Sequence, residues 1–158
     1  MLIRLLRIEF LKTRRSLALL MVFVCPLVVV LLNFLIQMKS KRTVNWDMYW
    51  MGQTAVWTYF MYPLYIALLT ALLNGNEHRN GTWRVMLTLP ISSAQLYIAK
   101  FLLAWLLLLV SNIALFIFSA VSIQVLGAIG VDTVGAYHYA FATSLWALMV
   151  SALPILVV

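Results

Sequence analysis

Four stretches of this chain stay apolar for long enough to reach across a lipid bilayer: Leu17 to Ile36, Thr54 to Leu73, Phe101 to Ile123 and Tyr139 to Val158. A hydrocarbon core of about 30 Å needs roughly 20 helical residues, each rising about 1.5 Å. None of the four stretches contains Asp, Glu, Lys or Arg. Their apolar residues run on continuously instead of alternating, which predicts helices rather than the strands of a membrane barrel. The pattern therefore predicts an all-α integral membrane protein with four transmembrane helices at about 17–36, 54–73, 101–123 and 139–158.

Residues 1–16 follow a different pattern. Leu2, Ile3, Leu5, Leu6 and Phe10 are interleaved with Arg4, Arg7, Lys12, Arg14 and Arg15. At 100° per residue most of the bases gather on one face and most of the apolar residues on the other, as in a helix lying in the membrane interface against lipid headgroups. Glu9 falls nearer the apolar face, and Lys12 is its predicted ion-pair partner. The domain organisation is thus an interfacial helix at 1–16 and a transmembrane domain at 17–158. The first apolar stretch is too long for the core of a secretory signal and no small-residue cleavage pattern follows it, so it reads as a retained helix.

Polar and helix-breaking residues inside the spans add detail. Asn33, Ser111, Asn112 and Ser119 should turn from lipid toward other helices or a cavity. Pro26, Pro63 and Pro154 each remove a backbone hydrogen bond and predict kinks. Trp46, Tyr49 and Trp50, spaced as on one helical face, predict a short surface helix in an aromatic belt. The run from Ala152 to Val158 carries no charge or helix stop, which predicts that the sequence is truncated there or that its remaining helices come from elsewhere.

Composition agrees: 65% of the 158 residues are hydrophobic and 9% charged, with mean hydropathy +1.03. A soluble domain carries about 25% charged residues. The net charge of +7 and pI near 9.9 could point to nucleic acid, but the bases flank membrane segments. Eight of the eleven Lys and Arg precede the first stretch or lie between the second and third, and three, Lys39, Lys41 and Arg42, lie between the first and second. The larger group belongs on the cytoplasmic side, which places the N-terminus inside. Cys25 is the single cysteine, so no intrachain disulfide forms. No phosphate-binding loop, paired metal ligands or nucleophile elbow occurs in the sequence, and the chain is predicted not to be an enzyme.

Residues 74–100 form the most structured polar stretch, cytoplasmic by the charge count. Asn80-Gly81 marks a turn, Thr82 can cap a short helix bearing Trp83, Val85, Met86, Leu87 and Leu89, and Pro90 ends it. Ser92 and Gln95 then match a capping box that restarts a helix. Such a surface helix, with Glu77, His78, Arg79 and Arg84 exposed, can dock on a soluble partner.

At these residues the chain resembles the ABC-2 family of ABC transporter permeases, in particular the branch associated with export of, or immunity to, antimicrobial peptides. The resemblance rests on Glu9, Lys12, Arg14 and Ser16 and above all on Glu77, Gly81-Thr82, Leu87 to Pro90-Ile91-Ser92 and Ala99-Lys100. Ser93 stands where the family often has a basic residue. The resemblance implies an elbow helix, here Arg4, Arg7, Glu9, Lys12, Arg14 and Arg15, followed by six spanning helices. It also implies a permease subunit of a bacterial cytoplasmic-membrane exporter, paired with a second permease subunit in a homo- or heterodimer and with cytosolic ATPases. ATP and Mg would be held by the partner ATPase, with no cofactor in this chain. Segment 74–95 would be the coupling element, through Glu77, Arg79, Gly81, Thr82, Trp83, Arg84, Leu87 and Pro90. Membrane lipid is the other expected partner, and nucleic acid is not one. The residues by themselves also fit a non-transporting membrane sensor or assembly subunit, and retention of an ATPase separates the two.

Overall fold

The computed structural model describes Phe10, Leu11, Thr13 and residues 17–40, 43–79, 93–134 and 146–150. The elements are α1 (Leu17–Ser40), β1 (Val44–Asn45), α2 (Trp46–Val56), a π-helical turn (Trp57–Met61), α3 (Tyr62–Arg79), α4 (Ser93–Ala128) and β2 (Thr133–Val134). Among the described residues three helices are long and apolar enough to cross a membrane: Leu17–Lys39, Trp46–Leu73 and Tyr97–Ala128. Of the predicted fourth span, residues 146–150 are described. They are helical, and Leu148 and Met149 are buried.

The second span begins at Trp46, eight residues before the expected Thr54, and it absorbs the predicted surface helix. Asn45 caps it by accepting a 3.0 Å bond from the Asp47 amide, and Asp47 places its negative charge in the first turn, where the helix dipole favours it. Trp46, Tyr49 and Trp50 do share a face, but that face turns into the protein. Trp46 and Tyr49 are buried with Ile123 and Leu126, and Trp50 meets Phe116 edge to face at 5.4 Å.

Within the same span α2, the π turn and α3 are continuous. The Tyr62 amide reaches back five residues to the Trp57 carbonyl. Pro63 explains the widening, because its ring crowds the carbonyl of Tyr59 and offers it no N–H. The kink expected at Pro63 therefore takes the form of an inserted residue one turn earlier. The span ends at Leu73, as predicted, while its helix runs on to Arg79, so Asn74 to Arg79 are helical where a polar connection was expected.

The third span lies within a helix of 36 residues that starts at Ser93, where the sequence places the restart of a helix, and runs on past the predicted end at Ile123 to Ala128. It closes on Gly130, whose φ of +91° is a left-handed conformation that a Cβ would strain. The Val131 amide bonds the Leu126 carbonyl at 3.1 Å and the Gly130 amide bonds the Gly127 carbonyl at 3.2 Å, the paired bonds of a Schellman cap.

β1 and β2 pair in parallel, Val44 beside Thr133 and Asn45 beside Val134, and the Val44 amide bonds the Asp132 carbonyl at 2.9 Å. The end of α1, the start of α2 and the end of α4 therefore meet at one end of the bundle. Between the helices lies a core of Ala18, Val22, Val29, Trp57, Tyr65, Leu69, Leu108 and Leu115. One side of α1, including Leu20, Phe23, Leu27, Leu31 and Leu35, remains exposed, the arrangement expected of a helix facing lipid.

Candidate functional site

The polar side chains of the second and third spans face one another and form a ladder through the apolar core. At its upper rung the Tyr49 hydroxyl and Ser122 Oγ are 2.7 Å apart, and Ser122 Oγ donates to the Ser119 carbonyl at 2.8 Å. On the next rung Ser119 Oγ meets Gln53 Oε1, and it also bonds the Leu115 carbonyl at 2.7 Å. Below that, Trp57 Nε1 donates to Asn112 Oδ1 at 2.9 Å. The ladder descends α2 as it ascends α4, the register expected of antiparallel neighbours.

Asn112 is the centre of the lowest rung. Its Nδ2 lies 3.4 Å from the Tyr62 hydroxyl and 3.5 Å from Met149 Sδ, while the Tyr62 hydroxyl donates to the Leu148 carbonyl at 3.1 Å. Trp57 stacks obliquely between Tyr62 and Tyr65, with ring centroids 5.7 and 6.0 Å away. This cluster joins both sides of the π turn to α4 and to residues 146–150. Hydrogen bonds between spanning helices average about 0.6 kcal/mol and reach about 1.7. The ladder thus contributes a few kcal/mol at most, and its larger effect is to fix which helical faces meet.

Among the described residues, five buried atoms in the spans make no hydrogen bond of ordinary geometry: Asp47 Oδ1, Gln53 Nε2, Tyr65 Oη, Trp105 Nε1 and Ser111 Oγ. Leaving such a group unpaired costs about 1–3 kcal/mol. Tyr65 and Ser111 both lie beside the central cluster, on α3 just past the π turn and on α4 next to Asn112.

The inward turn expected of Ser111, Asn112 and Ser119 is what the structure shows, all three being buried. Asn33 is half-buried beside Gly52, where an added Cβ would stand 3.8 Å from its Oδ1. Of their partners, Tyr49 reads in the sequence as part of a surface aromatic belt and not as a buried hydrogen-bonding group, and Gln53, Trp57, Tyr62 and Ser122 were not singled out, although Gln53 in the middle of an aromatic-rich helix was a usable signal. Of the predicted coupling residues, Glu77 and Arg79 lie in the last turn of α3. Gly81, Thr82, Trp83, Arg84, Leu87 and Pro90 fall outside the described residues. So do the elbow residues Arg4, Arg7, Glu9, Lys12, Arg14 and Arg15. Phe10, Leu11 and Thr13 are helical, with the Thr13 hydroxyl bonding the Phe10 carbonyl at 2.9 Å.

A membrane bundle with a ladder of this kind is the framework of a multi-pass membrane protein. The profile of the ABC-2 family transporter proteins matches residues 5–158, nearly the whole chain, and the chain belongs to that family. Members are membrane components of ABC transporters, not themselves catalytic, and generally work with ABC ATPase partners. Neither the curated proteins nor the solved structures provide a match.

Proposed function

We propose that this chain is the membrane-spanning permease subunit of an ATP-driven exporter, with its N-terminus in the cytoplasm of a bacterium and residues 74–95 coupling it to a separate cytosolic ATPase. The family match over residues 5–158 carries this reading, because it takes in the elbow, the spans and the coupling segment together. The bundle supports the orientation. The strand pair brings the connections after α1 and α4 to one end, which leaves Arg79 and Ser93 at the other. That other end is the one flanked by the larger share of Lys and Arg.

The interior shared by the three spans is filled by Trp57, Tyr65, Leu108 and Leu115, each 0% exposed. Cargo therefore moves along an outer face of this unit, against a second permease subunit, and antimicrobial peptides are the cargo class of the branch that the chain resembles. The test is retention of an ATPase on the purified chain together with ATP-dependent transport in vesicles. A chain that inserts normally yet never retains an ATPase would instead be a sensor or assembly subunit. Orientation has its own check: a reporter joined after Gly81 is expected to read as cytosolic and one after Asp132 as external. Both on one side would contradict an odd number of spans between them.

A further inference from the structure

We infer that the π turn at Trp57–Met61 is a hinge, latched by Asn112, about which α3 swings relative to the rest of the bundle. The inference rests on the proposed function for its purpose, since α3 leads into the coupling segment, but its geometry is independent of it. Three observations converge. First, the turn holds one residue more than an α-helical turn, is under-wound, and precedes Pro63, so the Tyr62 amide bonds i to i−5 and Pro63 has no amide, leaving two successive positions without the ordinary i to i−4 bond that stiffens a helix. Second, the two flanks are held very differently. α2 is fixed by Tyr49 to Ser122, by Gln53 to Ser119 and by the strand pair at its entrance. On α3, by contrast, the side-chain hydrogen bonds of ordinary geometry to other elements among the described residues are those of Tyr62, at the hinge itself, with Tyr65 approaching Ser111 just beyond it.

Third, Tyr65 Oη and Ser111 Oγ, on α3 and α4 next to the Asn112 cluster, are buried close enough to interact with each other, yet neither closes a hydrogen bond of ordinary geometry. A hydroxyl pair that approaches without closing, beside a fully bonded Asn112, is what one position of a two-position element leaves behind, because packed interfaces change between discrete arrangements. Swinging α3 about the π turn changes what Tyr65 meets while leaving the rungs at Gln53 and Tyr49 intact. Asn112, holding Trp57 at the first residue of the hinge and Tyr62 just after it, is the latch for the position seen here.

The test uses spin-label pairs in the full chain in lipid nanodiscs, with Cys25→Ser as background. One pair, Gly75→Cys with Tyr97→Cys, reports on the α3 end, where both positions are exposed. The other, Met48→Cys with Ile129→Cys, reports on the opposite end, also exposed. With the latch intact each pair is expected to give one dominant distance. Asn112→Leu should raise the population of a second distance about tenfold in the first pair alone. Deleting Tyr59, which is 86% exposed, removes the extra residue of the π turn, and in the Asn112→Leu background it should abolish the second distance. If that deletion prevents insertion, Pro63→Ala, which restores an amide to the Tyr59 carbonyl, should reduce the second population severalfold. An unchanged first pair in Asn112→Leu, or equal broadening of both pairs, would overturn the hinge. Neither readout needs an ATPase or a cargo, so failure here is separable from failure of the exporter reading.

Discussion

Trp57→Ala is expected to destabilise the folded bundle by about 3 kcal/mol, with Trp57→Phe costing only about 1. The indole is 0% exposed, lies against Tyr62 and Tyr65, and spends its N–H on Asn112 at 2.9 Å. Truncating a buried tryptophan costs about 3–5 kcal/mol in water-soluble proteins, from transfer and from the cavity left behind. In lipid the transfer part shrinks, because acyl chains are as apolar as the core, so the lower end applies. Phenylalanine keeps most of the ring contacts and loses one interhelical bond, hence the smaller value. Reversible unfolding in mixed micelles, followed by helicity, measures both. Equal losses for the two variants would show that the hydrogen bond, and not the packing, dominates this site.

Charge reversal within residues 77–84 should have the opposite profile, with insertion kept and coupling lost. Glu77→Lys changes the last turn of α3, where lysine is a good helix former and where a cation suits the helix dipole, so the fold has no reason to suffer. Against an ATPase surface, a charge pair at a partly desolvated interface contributes about 1.5 kcal/mol or more, which is about tenfold in association. Arg84→Glu is expected to do the same, and Trp83→Ala to remove the apolar anchor of the contact. The ATPase retained by each purified variant, measured beside ATP-dependent export in vesicles, provides the check. Undiminished association and export in all three would remove residues 77–90 from the coupling role.

The spans were legible because an uninterrupted, charge-free run of about 20 residues has few other uses. What hid the start of the second span was its chemistry. Asp47, Gly52 and Gln53 give residues 46–53 the look of a connection, and only partners 66 and 73 residues away, Ser119 for Gln53 and Ser122 for Tyr49, make them part of a buried helix. A hydropathy pattern carries no information about such distant pairing. The same limit applies at Pro63. The proline announces a disturbed helix, but whether the chain bends or takes up an extra residue depends on Trp57 and Tyr62 both reaching Asn112, a residue of another helix. Ser111, Asn112 and Ser119 were readable from one side only: their polarity showed that they must face inward, not what they would meet.

The pairing of Gln53 with Ser119 also bears on how the protein is made. When the second span leaves the ribosome its amide and the Tyr49 hydroxyl have no partner, because Ser119 and Ser122 are still to be synthesised. A lone helix carrying these groups gains less from entering lipid than one whose groups are matched, since unpaired polar atoms in hydrocarbon are costly. Nascent chains are therefore expected to commit the second and third spans to the bilayer as a helical hairpin. In a translation-arrest force profile, Ser119→Ala with Ser122→Ala should weaken the pull that accompanies the third span and leave that of the first unchanged.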